Sequence, residues 1–73
     1  MIRYILIQFP DKNSWGFEIG KKEGYKTLTN ARKAARKALE NYRNGGAAFV
    51  TIRKEETENN SFQSGIIETI KEV

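Results

Sequence analysis

The sequence predicts an α+β domain of two layers, in which a small antiparallel or mixed four-stranded sheet carries one helix on one face. Two observations predict it. Short runs of β-branched and aromatic residues flank a single central stretch, and that stretch has alanines at helical spacing. The expected order is therefore strand, strand, helix, strand, strand (ββαββ), in one small domain covering residues 1–73.

The N-terminal part of the chain predicts a β-hairpin. Residues 2–9 are rich in isoleucine and aromatic residues, and Pro10 follows them. The run is too short for a core helix, so it predicts a strand. A turn cluster follows at residues 10–14, and residues 15–20 then alternate large apolar residues with small or polar ones. We expect Trp15, Phe17 and Ile19, with one face of the first strand, to supply most of the core volume.

The central stretch predicts one helix, from about Leu28 to Tyr42 or Arg43. Thr27 fits its N-cap, with Thr29 as the competing cap, and the Asn-Gly-Gly sequence at residues 44–46 is expected to end it. At 100° per residue, the apolar residues fall on one narrow side of the helix, and most of them are small enough to let the helix approach a sheet closely. These residues are Leu28, Ala31, Ala34, Ala35, Ala38, Leu39 and Tyr42.

The C-terminal part predicts a third strand at residues 47–53 and leaves the tail open. The polar residues 55–61 are expected to form a mobile loop. Residues 65–73 have strand-like composition, which favours a strand that returns as a second hairpin. The alternative is a helix capped by Ser64, since Ile66, Ile67, Ile70 and Val73 also match a helical stripe.

The first strand carries apolar residues on both faces, and one helix can cover one face only. Ile2, Tyr4 and Leu6 point one way, and the opposite row is the candidate sheet-face interface. That row consists of Ile5, Ile7 and Phe9. It would be covered by the C-terminal segment, by a second copy in a homodimer, or by a partner. Alternatively, long polar neighbouring side chains shield it within the single chain.

Positive charge is concentrated in the first part of the chain. The net charge is +4, with ten lysines and arginines against four acidic residues in 1–43 and three against five in 44–73. A basic helix side and the lysine-containing loop before it could contact nucleic-acid phosphate or an acidic protein partner. An ordinary solvated surface is the alternative. The candidate binding residues are Lys21, Lys22, Lys26, Arg32, Lys33, Arg36, Lys37 and Arg43.

Composition argues against several classes of function. The chain has no cysteine and no histidine, so disulfides, Cys/His zinc sites and histidine-based catalysis are excluded. No nucleophile motif or phosphate-binding glycine loop occurs, and the glutamates at 55, 56 and 58 lack the spacing of a cation site. We therefore expect no enzymatic activity, no cofactor and no metal. We also expect a cytoplasmic location, since no apolar run approaches a membrane span and cysteine is absent.

Short stretches resemble known families. The sequence Gly-Tyr-Lys-Thr-Leu-Thr-Asn-Ala at residues 24–31 is similar to the strand-to-helix passage of integrase arm-binding domains. It is also similar to HicB-type antitoxins, in which a Thr-Leu start opens an alanine-rich helix. Each resemblance covers under a third of the chain and includes no residue that is diagnostic of function, so neither assigns a family.

Three hypotheses about function follow from the sequence. The favoured one is a small non-enzymatic module that binds the nucleic-acid phosphate backbone through its basic helix side. The alternative is a protein-binding inhibitor or adaptor, of the phage or mobile-element type, that docks by charge or by its open sheet face. The third is a structural subunit that homodimerises.

Overall fold

The computed structural model describes residues 1–41 and 48–71. These form β1 (Ile2–Phe9), β2 (Phe17–Ile19), α1 (Leu28–Asn41), β3 (Phe49–Glu58) and β4 (Ser61–Lys71). The predicted ββαββ order and α+β class are confirmed. The expected helix end and its Asn-Gly-Gly stop lie outside the described residues. α1 is too short and too polar to cross a lipid bilayer, and the described residues contain no other helix.

The four strands form one antiparallel sheet in the order β2-β1-β3-β4. β1 lies inside the sheet, where it pairs with β3 along its whole length, from Ile2 opposite Glu56 to Phe9 opposite Phe49. β4 forms one edge of the sheet, and the short β2 forms part of the other. The prediction that the tail is a strand returning as a second hairpin is confirmed by β4.

The start of α1 follows from a side-chain cap. The hydroxyl oxygen of Thr27 accepts a hydrogen bond from the backbone N–H of Asn30 at 3.2 Å, so Thr27 is the N-cap and Thr29 is not. The alanine side of the helix faces the sheet. Ala31 and Ala35 are fully buried there, and their small side chains let α1 approach the strands closely.

The core lies between α1 and the sheet. Leu6, Val50 and Ile52 are its largest fully buried side chains, and Ile19 packs at its margin. Trp15 and Phe17 were expected in the core, and that expectation is wrong. Trp15 is 94% exposed and Phe17 is 47% exposed. β2 is shorter than expected, so Trp15 belongs to the preceding loop and Phe17 to an edge that the helix does not cover.

The prediction of a mobile loop at residues 55–61 is also wrong. β3 continues to Glu58 and β4 begins at Ser61, joined by Asn59 and Asn60. Both asparagines have positive φ, 49° and 68°, the left-handed pair of a two-residue type I′ hairpin turn. Asparagine tolerates this conformation better than most residues, so the Asn-Asn pair was the signal for a tight hairpin.

Candidate functional site

The exposed side of α1 carries a cluster of cations that we call the basic helix surface: Arg32, Lys33, Arg36 and Lys37. Because the alanine side faces the sheet, these four side chains lie on the remaining circumference of the helix. Lys33, Arg36 and Lys37 are exposed, and Arg32 is half-buried. The structure thus brings together four of the eight predicted binding residues on one element.

Arg32 is held by a carboxylate from β4. Its Nε donates to Oε2 of Glu68 at 2.8 Å, and its Nη2 donates to Oε1 at 2.7 Å. This two-point contact fixes the plane of the guanidinium. The hydrogen bond from Arg32 lowers the pKa of Glu68 and raises that of Arg32, and the charge of Arg36 lowers the pKa of Glu68 further. Glu68 is therefore ionised at neutral pH and offsets one positive charge of the surface.

A cleft of about 430 Å³ lies where the helix passes over β4. Its lining residues are Thr29, Arg32, Lys33, Arg36 and Glu68. Arg36 and Lys33 bring charged donors, and Thr29 adds a hydroxyl at the helix start. Guanidinium and ammonium groups next to a hydroxyl suit a small anion such as one phosphate group. Glu68 opposes anion binding directly but keeps Arg32 in place.

Lys21, in the loop before the helix, lies away from the basic helix surface. Lys21 sits over the ring of Tyr25, with Nζ 5.7 Å from the ring centroid. Tyr25 pairs with Tyr4 on the side of β1 away from β3, so it is three strand positions, about 14 Å, from β4. Lys22 and Lys26 are exposed. Lys21 is therefore not part of the basic helix surface, and Arg43 lies outside the described residues.

The candidate sheet-face interface is partly covered by the chain itself. Ile5 is 5% exposed, and its Cδ1 lies close beside Gly24 of the loop before the helix. Phe9 stacks on Phe49 with ring centroids 4.8 Å apart. Ile7 and Phe9 are half-buried, and both contact the position of Gly16. A partner at this face would meet Ile7 and Phe9 rather than Ile5.

Sequence reasoning missed two features of the surface. Glu68 was not recognised as a partner of the helix, because the strand that carries it was itself ambiguous. Four large apolar side chains, Trp15, Phe62, Ile66 and Ile67, are exposed, and the sequence did not predict this. The last three all lie on β4. Their exposure could have been predicted only if that strand had first been placed at an edge of the sheet.

The glutamates of β3 do not form a cation site. Glu55 accepts a hydrogen bond from Nε of Arg3 at 2.6 Å, and its neighbour Glu56 points to the opposite face of the strand. Across the described residues, no three acidic side chains are arranged so that they could hold a metal ion.

Comparison of this chain with models of known protein families, with curated proteins and with solved structures finds no match.

Proposed function

We propose that this protein is a non-enzymatic module that binds nucleic-acid phosphates through the basic helix surface. The observation that carries the proposal is the state of its four cations. Lys33, Arg36 and Lys37 are exposed and, among the described residues, have no ion-pair partner. Arg32 is oriented by Glu68, and both residues line the adjoining cleft. When such cations neutralise phosphates, the counterions condensed on the nucleic acid would be released.

The proposed binding has little sequence specificity. Contacts to phosphate position a protein on nucleic acid, whereas sequence is read by contacts to base edges. The side of α1 that could enter a groove is dominated by lysine and arginine, and the opposite side is buried against the sheet. Affinity should therefore depend on ionic strength far more than on sequence.

The test is fluorescence anisotropy with labelled duplex and single-stranded oligonucleotides at 50 and 200 mM salt. Four phosphate contacts on duplex DNA give a slope near −3.6 in log K against log salt, or roughly a hundredfold loss of affinity over this range. The triple variant Lys33→Gln, Arg36→Gln, Lys37→Gln would keep one contact and lose only about fourfold over the same range. Its affinity at 50 mM salt should be far below that of the wild type.

The chain offers a matched control. The variant Lys12→Gln, Arg53→Gln, Lys71→Gln also removes two lysines and one arginine, all of them exposed. Arg53 and Lys71 lie on the sheet face away from α1, and Lys12 lies in the β1–β2 loop. Comparable losses in the two variants would show a response to net charge alone. That result, or no binding at 50 mM salt, overturns the proposal.

A second candidate function is docking on an acidic protein partner, and Trp15 favours it. A tryptophan that is 94% exposed is unusual on a surface without a partner, and tryptophan is enriched among the residues that dominate protein interfaces. Polyglutamate and an oligonucleotide of equal charge separate the two functions. Tighter binding of the oligonucleotide supports phosphate recognition, and a preference for polyglutamate that falls in Trp15→Ala supports the protein partner. Since Trp15 is the chain's one tryptophan, its fluorescence also reports contact in the wild type.

A further inference from the structure

β4 is a long edge strand whose outer side has no partner among the described residues. It runs from Ser61 to Lys71, and within the described sheet it pairs only with β3. An edge of this length presents a row of backbone donors and acceptors that another strand can satisfy. The same strand carries three large exposed apolar side chains. Phe62 is 62% exposed, Ile66 is 57% exposed and Ile67 is 47% exposed.

A β-bulge divides β4 into two halves. Glu68 pairs with Ile52 and Ile66 pairs with Arg53, so Ile67 is an extra residue between them. The bulge reverses the alternation of side chains along the strand. Before it, even-numbered residues from Phe62 to Ile66 share the face turned away from α1. After it, the odd-numbered Thr69 and Lys71 occupy that face.

This reversal restricts the registers in which β4 can pair with a second copy. Around a two-fold axis perpendicular to the sheet, opposite residues must point to the same face. A regular strand meets this condition only with the axis through a residue. Across the bulge of β4 the residues on either side of Ile67 meet it with the axis between Ile66 and Ile67, and this register also brings the two exposed isoleucines opposite each other. The opposed pairs are then Ile66 with Ile67, Gly65 with Glu68, Ser64 with Thr69, Gln63 with Ile70 and Phe62 with Lys71.

The chemistry of these pairs is self-complementary. Four isoleucines, two from each copy, meet at the centre, where Ile66 and Ile67 are now exposed. No like charges stand opposite one another, since Glu68 faces a glycine and Lys71 faces the ring of Phe62. The polar Ser64 and Thr69 form a cross-strand pair of a kind that stabilises sheets.

We infer that two copies of this chain pair antiparallel through the outer edges of β4, about a two-fold axis between Ile66 and Ile67, and form one continuous eight-stranded sheet. Because the axis is perpendicular to the sheet, both helices lie on the same face. The two Arg32–Glu68 clefts then lie on either side of the axis. This dimer is distinct from one made through Ile7 and Phe9, and it does not depend on the proposed nucleic-acid binding.

The first experiment measures the mass of the intact chain by light scattering from micromolar to millimolar concentration. The dimer predicts twice the 8.4 kDa of one chain at the upper end. Ile66→Lys places two like charges beside the axis and should raise the dimer dissociation constant by at least on the order of a hundredfold. Phe17→Lys is the matched control, since Phe17 is about as exposed but lies on β2 at the other edge.

The second experiment tests the register and does not depend on how Ile66→Lys folds. The chain has no cysteine, so introduced thiols give a clean background. The variant Ser64→Cys, Thr69→Cys should form a disulfide-linked dimer under mild oxidation. The variant Ser64→Cys, Lys71→Cys, whose positions are not opposed, should do so far less. A chain that stays monomeric throughout overturns the inference, as does a dimer that survives Ile66→Lys but dissociates with Ile7→Asp.

Discussion

Gly24 packs so tightly that a single added methyl group should destabilise the fold. It lies in the loop before α1, has φ +79° and is buried. A Cβ at this position would lie 2.8 Å from Cδ1 of Ile5 and 3.0 Å from the carbonyl oxygen of Tyr4. Both distances are below ordinary van der Waals contact, and the second neighbour is backbone that cannot move away cheaply. Gly24→Ala therefore meets two penalties.

The free energy of unfolding lost in Gly24→Ala can be estimated from those two penalties. Holding an alanine in the left-handed conformation costs about 1 kcal/mol. Overpacking against Ile5 and the β1 backbone adds about 1–3 kcal/mol. The sum is about 2–4 kcal/mol. A domain of 73 residues has a free energy of unfolding of about 4–11 kcal/mol, so Gly24→Ala removes a large share of it.

The assay is urea unfolding followed by circular dichroism, with Gly65→Ala as the control. Nothing lies within 4 Å of a Cβ at Gly65, and its φ is not positive, so alanine there should be neutral or stabilising by up to about 1 kcal/mol. The double variant Gly24→Ala, Ile5→Val tests the contact itself, because valine lacks Cδ1. It should be less destabilised than the two single changes added together. Additive losses, or a harmless Gly24→Ala, would refute the claim that this loop closes over Ile5.

Two further predictions concern the cap of α1 and the ion pair at its side. Thr27→Ala should lower the free energy of unfolding by about 0.5–2 kcal/mol through loss of the N-cap, whereas Thr29→Ala should change it far less; thermal melts of both variants decide this. Since Arg32 lowers the pKa of Glu68, their pairing contributes stability above the ordinary glutamate pKa of about 4.3, and that stability is lost as pH falls through the lowered value. Urea unfolding of Glu68→Gln should accordingly show a shallower loss of stability on acidification than the wild type. An identical pH dependence would mean that the pair contributes nothing.

The sequence predicted the elements whose patterns are local. The boundaries of β1 match the expected strand, since Pro10 and the turn cluster mark its end directly. The start of α1 also matches, because its N-cap lies next to the alanine pattern. These signals depend on neighbouring residues alone and need no knowledge of the tertiary fold.

The errors concern residues whose environment is set by distant parts of the chain. Trp15 has an intrinsic preference for burial, but the longer β1–β2 loop leaves it with nothing to pack against. The glutamate-rich end of β3 looks unsuited to a strand, yet Glu55 is paired with Arg3 across the sheet. Within the candidate site the cations were predicted from their helical spacing. Glu68 orients Arg32 but is 36 residues away along the chain, so its role could not be predicted from the sequence.

The order of strands in the sheet also governs when the fold can be completed. β1 lies between β2 and β3, and its longer partnership, with β3, joins residues as far apart as Ile2 and Glu56. The β1–β2 hairpin can form early, but three ladder positions are few for holding an eight-residue strand. Before β3 pairs with it, we therefore expect β1 to have one unpaired backbone edge and exposed apolar residues on both faces. Such non-local closure is slow, and the interval before it is when this chain is most exposed to aggregation.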